Sequence, residues 1–234
     1  MKLAIMQPYL FPYIGYFQLI QAVDKFVVYD DVAFIKQGWI NRNQILLNKN
    51  KHMFHIPLDG ASSFRRINEI YVSYNPLNWE TKFFKTLNQA YRKAPFYDKI
   101  LPLIESVILK QQGVPISEVA LKSISKISEY IQLKTQIIES SSVYNNHELN
   151  GEDRIKDICK RENAKIYINA IGGKKLYDKA DFATIGVNLF FLEGELKPYK
   201  QFKNDPIPGL SIIDTLMFCP PEEIKNILTH YRLV

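Results

Sequence analysis

Two short segments near the start of the chain carry side chains whose types and spacing suit chemistry on a small polar molecule. The first reads Gln7-Pro-Tyr-Leu-Phe-Pro-Tyr-Ile-Gly-Tyr. Its two prolines stiffen a turn, and Gly15 permits close approach of a ligand to the backbone. Tyr9, Tyr13 and Tyr16 add hydroxyls and flat faces, and a helix starting near Gly15 would offer free N–H groups to phosphate or carboxylate. A structural turn with its aromatics packed inward accounts for the same residues. The second segment is Asp30–Asp31, followed within a dozen residues by Lys36, Trp39, Asn41, Arg42 and Asn43. Paired carboxylates suit Mg²⁺ coordination or capture of an amine, and an Arg between two Asn presents forked donors to phosphate or carboxylate. Alternatively, the aspartates cap a turn and Arg42 pairs with one of them. Asp30, Asp31 and Arg42 are the candidate catalytic residues.

Later segments add candidate binding residues. Ser141 and Ser142, in the run Ser140–Ser141–Ser142, could cap a helix or bind phosphate. Tyr167 precedes the Gly172–Gly173 pair, and Tyr199 and Gln201 precede Ser211 and Asp214. Asp214 lies in an apolar stretch and must find a partner if buried, Arg42 being a conceivable one. His55 fits a structural hydrogen bond better than a catalytic role. His52, His147 and His230 form no helix-spaced pair. Cys159 and Cys219 lie far apart in no ligand spacing and read as buried thiols, so no metal site is expected. The chain contains no H-E-x-x-H, G-x-S-x-G, Walker A or G-x-G-x-x-G motif.

The elements that must position these residues alternate. KLAIMQ reads as a buried strand, IGYFQLIQAV as a helix and KFVVYDDV as a second strand, which together make a parallel βαβ unit. FIKQGWINRNQILLNKNKHMFHIPL reads as extended segments with a turn near Asn48 to Lys51, and INEIYVS as a short strand. Residues 79–133 read as three helices, separated at Ala94–Pro95 and at Gly113–Val114–Pro115. This run looks like a helical insertion within a single α/β domain. TQIIESSSV then reads as a strand, GEDRIKDICKRENA as a helix and KIYINAI as a strand. KKLYDKADFATIG reads as helical, VNLFFLEG as a strand and PPEEIKNILTHYR as a final helix. Ligands of open parallel sheets bind beyond the carboxyl ends of the strands. The candidate loops are therefore expected to face one crevice.

Composition narrows the classes. The 234 residues are 47% hydrophobic and 23% charged, ordinary values for a globular protein able to bury a core. The net charge of +6 is spread among acidic residues without a basic run, which argues against nucleic-acid binding. No apolar stretch approaches the roughly 20 residues of a membrane span. The opening MKLAIMQPYLFPYIGYF is interrupted by prolines and tyrosines and lacks a cleavage site, so a cytoplasmic protein is expected.

The motifs QPYLFPYIGYFQLI and YDDVAFIKQGWINRNQI resemble those of the WbqC-like family. The likeness continues through IPL, AYRKAPFY, ESSSV, RIKDICKRENAKIYINAIGG, YKQF and LSIIDTLMF. It covers nearly the whole chain. Ala33 departs where the family usually carries a polar residue, and Asn169–Ala170–Ile171 replaces a Ser-Gly-like stretch. The resemblance implies surface-polysaccharide (O-antigen) biosynthesis, where N-acylated amino sugars are made. It implies an enzyme acylating or aminoacylating a nucleotide-linked amino sugar, or else a non-catalytic binding or assembly protein of that pathway. A weaker similarity links the element order to nucleotidyltransferase-type, Rossmann-like ligases such as pantothenate synthetase. Their His-x-Gly-His signature is absent: Pro12-Tyr13-Ile14-Gly15-Tyr16 falls in its place. ATP with Mg²⁺, or an acyl group on CoA or a carrier, would supply activation, and a homodimer is compatible with the setting.

Overall fold

The residues that open the chain form a central strand of its main sheet. In the computed structural model, which describes residues 1–202 and 205–234, β1 (Lys2–Met6) leads into α1 (Ile14–Gln21) and β2 (Lys25–Val28). Beyond β2 come the strands β3 (Arg42–Leu47), β4 (Asn50–His55), β5 (Leu58–Asp59) and β6 (Tyr71–Val72). The helices α2 (Trp79–Tyr91), α3 (Tyr97–Ile108) and α4 (Ile116–Tyr130) follow. The sheet resumes with β7 (Gln136–Ile138), α5 (Gly151–Arg161), β8 (Ile166–Ala170), α6 (Lys179–Ala183) and β9 (Asn188–Gly194). The chain closes with α7 (Ile212–Phe218), α8 (Pro221–Leu228) and β10 (Tyr231–Leu233).

This is an α/β protein with a mostly parallel six-stranded sheet in the order β10-β9-β8-β1-β2-β7. β10 alone is antiparallel, pairing with β9. The chain starts at the centre, moves outward through β2 to β7, and returns to the other side of β1 with β8. The strand order therefore switches between β1 and β8.

Alternation along the strands builds two packed faces, as a pleated strand requires. Leu3 and Ile5 of β1 and Val27 of β2 point to one face, covered by Ile155 and Ile158 of α5 and Phe182 of α6. Ala4, Phe26 and Val28 point to the other, where α1, α2, α3, α4, α7 and α8 contribute to one continuous core. Seven of the eight α1 residues are buried, so its helicity comes from apolar burial on all sides rather than from a polar cap. The Thr135 hydroxyl donates to the carbonyls of Ile20 and Val23, satisfying acceptors that the end of α1 leaves free. Gln18 of α1 does the same for α8, donating to Ile227 and His230 carbonyls at 3.1 and 2.8 Å.

Several sequence expectations need correction. KKLYDKADFATIG is not one helix: a 3-10 turn spans Ile171–Lys175, and only Lys179–Ala183 is α-helical. Gly172 and Gly173 sit in that turn. INEIYVS gives a 3-10 turn at Ile67–Glu69 and a two-residue strand, because the segment packs on α4 instead of joining the main sheet. The expected final helix stops at Leu228, and Tyr231–Leu233 becomes the antiparallel edge strand. No helix among the described residues is long and apolar enough to cross a membrane.

Candidate functional site

At the end of β2 the chain turns sharply, and the turn is fixed from two sides. The amide of Tyr29 donates to the Met6 carbonyl at 2.8 Å, and that of Asn68 to the Asp30 carbonyl at 3.1 Å. The carboxylate of Asp30 accepts from the Ser140 hydroxyl at 2.7 Å and the Ser141 amide at 3.2 Å. These serines follow β7, the strand beside β2, so the two strand ends build this corner jointly. Burial pushes the Asp30 carboxyl above its ordinary range. The neighbouring Asp31 charge pushes the same way, and the serine hydrogen bonds only partly offset both.

Asp31 shares Ser141 with Asp30 and adds a partner of its own. One oxygen accepts from the Ser141 hydroxyl, and the other pairs with Arg154 Nη2 at 2.5 Å. Both side chains are only 4% exposed. Arg154 Nε donates to Asn146 Oδ1 at 3.0 Å, and its guanidinium lies 5.0 Å from the centre of the Tyr29 ring. A cation in the first turn of α5 is opposed by the helix dipole, so the Asp31 carboxylate is what makes this placement tolerable. With both Asp31 oxygens occupied, the aspartate pair does not present a joint Mg²⁺ site. No group of three or more His, Cys, Asp or Glu side chains among the described residues is placed to hold a metal.

The two aspartates open onto separate clefts. Asp30 and Ser140 line one of about 590 Å³, together with Asn68, Ser117, Lys122 and Ser125. Asp31 and Tyr29 line the other, of about 260 Å³, with Phe64, Arg65, Arg66 and His147 on its far wall.

The Gln7–Tyr16 segment is clamped by hydrogen bonds within the protein. Asn43 Nδ2 donates to the carbonyls of Leu10 and Phe11 at 3.0 and 2.7 Å, and the Ser211 hydroxyl donates to Phe11 at 2.8 Å. These contacts hold Phe11 at a positive φ of 42°. The Tyr16 hydroxyl donates to the Gln7 carbonyl, and its ring is buried against Tyr9 and Phe26. Tyr13 is exposed and lies over Gly15, where any Cβ would stand 2.4 Å from the Tyr13 ring. Burial raises the hydroxyl pKa of Tyr9 and Tyr16.

Arg42 is not the partner of any of the three aspartates. Its Nε donates to the Gly38 carbonyl at 2.9 Å, Nη2 bonds to the Gln37 carbonyl, and its guanidinium lies 5.9 Å from the Trp39 ring. Asn41 donates to the Ile56 carbonyl, while Lys36 and Trp39 are exposed. Asp214 is fully buried and accepts from Tyr91, Tyr199 and Gln201 at 2.7, 2.6 and 2.5 Å. Tyr167 is buried, accepts from Asn169, and stacks on Phe182 at 5.3 Å. Gly173 lies against the Asn169 side chain. Ser142 is exposed and bonds Ser140. The sequence candidates thus fall into separate hydrogen-bonded groups, of which Asp30, Asp31 and Ser141 share one.

Sequence reasoning passed over Arg154, Asn146 and the Phe64–Arg66 run. Arg154 had a readable signal. It stands four residues before Ile158 and beside Ile155, on the apolar face of α5, where a guanidinium requires a carboxylate. The two cysteines are buried and unbridged, and burial pushes each thiol up to about 12.

A family model described as the WbqC-like protein family matches residues 7–226, from the first loop through α8. The chain belongs to the WbqC-like protein family. A relative of this WbqC-like chain, an uncharacterized protein of Mycobacterium tuberculosis, is 25% identical over 235 residues, covering 99% of each chain. No solved structure matches. The matched range includes the Asp30–Asp31 corner, both clefts and the buried Asp214 group.

Proposed function

We propose that this protein is an enzyme of surface-polysaccharide biosynthesis that forms an amide on the amine of a nucleotide-linked amino sugar. The observation that carries the reading is Asp30: a buried carboxylate with a raised pKa, at a parallel-strand end, lining a polar cleft of about 590 Å³. The sugar amine attacks the carbonyl carbon of an acyl or aminoacyl donor, glycine being one such group. The N–C bond forms as the bond to phosphate oxygen or thiol sulfur breaks, and the leaving group departs with the electron pair. Asp30 accepts the proton lost by the nitrogen, while Ser140 and Lys122 orient the reactants. Activation comes from ATP, CoA or a carrier. Asp31, with both oxygens engaged, acts by holding Arg154 in place.

The central β1, the outward run to β7 and the return to β8 support a Rossmann-like, nucleotidyltransferase-like description, with residues 79–133 as a helical insertion in one domain. A cytoplasmic location and assembly as a homodimer belong to the same proposal.

The test is incubation with a nucleotide-linked amino sugar, glycine or acyl-CoA, and ATP with Mg²⁺, followed by mass spectrometry. An acylated sugar is expected, and Asp30→Asn should reduce its formation by at least 100-fold while the protein stays folded. Absence of product with every donor would exclude the enzymatic reading. The internal pairing of Asp31 and Asp214 favours a second reading, a non-catalytic nucleotide-sugar-binding protein, for which binding without turnover is the expected outcome.

A further inference from the structure

The smaller cleft beside Asp31 has a wall that the amide-forming chemistry leaves unused. Ser63, Phe64, Arg65 and Arg66 line it, and their backbone is pinned. The Arg65 amide donates to the Ser62 carbonyl at 3.1 Å, and the Phe34 amide donates to the Arg65 carbonyl at 2.9 Å. Arg66 bridges Ala33, and its own amide donates to Glu69 Oε2 at 3.0 Å. The backbone is thus fixed, and the Phe64, Arg65 and Arg66 side chains line the cleft. The Arg65 guanidinium lies over Gly60, and its Nη2 donates to the Glu69 carbonyl. Among the described residues neither Arg65 nor Arg66 makes a salt bridge to a carboxylate.

Phe64 is 99% exposed, the most exposed of the large apolar side chains. A lone surface phenylalanine is ordinary, and so is a surface arginine. Here an exposed ring stands beside two half-buried arginine side chains that line the same concave cleft. Asp31, the carboxylate in that cleft, is already neutralised by Arg154, and Glu152 nearby is paired with Lys156 at 2.5 Å. Arg65 and Arg66 therefore bring two positive charges to the cleft against the one carboxylate of Glu69. Guanidinium forks match phosphate oxygens, and a flat exposed ring takes a nucleobase without sequence demands. The volume of about 260 Å³ is near the roughly 300 Å³ lower end of small-molecule clefts, so it takes the phosphates while the base lies on the exposed ring.

We infer that this cleft binds a nucleoside diphosphate, with its phosphates on Arg65 and Arg66 and its base stacked on Phe64. The inference deepens the reading above and rests on it only for the amino sugar that hangs from the second phosphate.

Calorimetric titration of the intact protein with UDP, ADP, UMP and inorganic pyrophosphate tests it. UDP and ADP should bind, and pyrophosphate more weakly. The double variant Arg65→Ala/Arg66→Ala should weaken all diphosphates at least tenfold. Phe64→Ala should weaken UDP and ADP while leaving pyrophosphate unchanged, which separates stacking from a loss of fold. No binding of UDP, ADP or pyrophosphate at millimolar concentration overturns the inference, as does Phe64→Ala with unaltered nucleotide affinity. The two readings fail differently. Nucleotide binding without any acylated product refutes only the amide chemistry, whereas acylation that proceeds in the double variant with unchanged KM refutes only this site.

Discussion

Arg154 and Arg42 show how two arginines of one chain come to matter in opposite ways. Arg154 has its charge among buried groups, bonded to Asp31, Asn146 and the Asp31 carbonyl. Removing it leaves the Asp31 carboxylate buried beside Ser141 alone, and breaking a buried pair in this manner costs about 3–5 kcal/mol. Arg42 is half-buried and bonds only to the carbonyls of its own loop, groups that water can serve instead. Urea denaturation should therefore place Arg154→Ala about 3–5 kcal/mol below the parent, with Arg42→Ala within about 1 kcal/mol of it. Comparable losses for the two would refute this assignment of partners. The same contrast explains what was legible. Asp30–Asp31 stands out in the sequence as a carboxylate pair after a strand, but its partners come from residues 140–141 and 154, over a hundred positions away. Spacing along the chain does not contain that information. The apolar phase of α5 does contain half of it, since Arg154 falls where Leu or Ile would be expected.

The hairpin of β3 and β4 belongs to the scale at which sequence reads best. The apolar runs Ile45–Leu47 and Met53–Phe54 flank a polar cluster, and the turn lies in that cluster, at Asn48–Lys49 between the paired Leu47 and Asn50. Both turn residues have positive φ, 49° and 65°, as a two-residue hairpin turn of the mirror-image type requires. Asn tolerates that region and Lys does not, the left-handed conformation costing an L-residue roughly 1–2 kcal/mol. Glycine removes the cost but loses more freedom on folding, by roughly 0.5–1 kcal/mol. Lys49→Gly should therefore stabilise the protein by up to about 1 kcal/mol, visible as a higher midpoint in urea. A lower midpoint would mean that the Lys49 side chain contributes more than its backbone strain. Elements whose existence depends on distant partners were harder to read. β10 has three residues and forms because β9 offers an unpaired edge; nothing local in Tyr-Arg-Leu specifies a strand. α7 is short, and its polar residues Asp214 and Thr215 are turned inward to Tyr91, Tyr199 and Gln201. That obscures the amphipathic pattern by which helices are recognised.

At the scale of the whole molecule, Asp214 holds together the layer that lies outside the sheet. Its carboxylate accepts from Tyr91 at the end of α2 and from Tyr199 and Gln201 in the segment before α7. Tyr91 in turn accepts from the Leu46 amide of β3 at 2.9 Å, so hairpin, helix and tail meet on one buried group. Burial raises the Asp214 carboxyl above its ordinary 3.8, against three hydrogen bonds that pull it down. The folded state therefore holds this proton more tightly than the unfolded chain does. By linkage, the contribution of Asp214 to stability is fully present below the unfolded value of 3.8 and is lost as pH rises through the higher folded value. Asp30, raised for the same main reason, adds to stability in the same direction. Asp214→Asn removes one of these titrations while keeping the size of the side chain and one acceptor. The difference in unfolding free energy, parent minus variant, should then be largest at acid pH and shrink as pH rises through the folded value. Measuring only this difference cancels the other titrating groups, which contribute to both proteins alike. A difference that grows with pH would mean that the tyrosine and glutamine hydrogen bonds outweigh desolvation, and that the buried carboxylate is held as a fully stabilised anion.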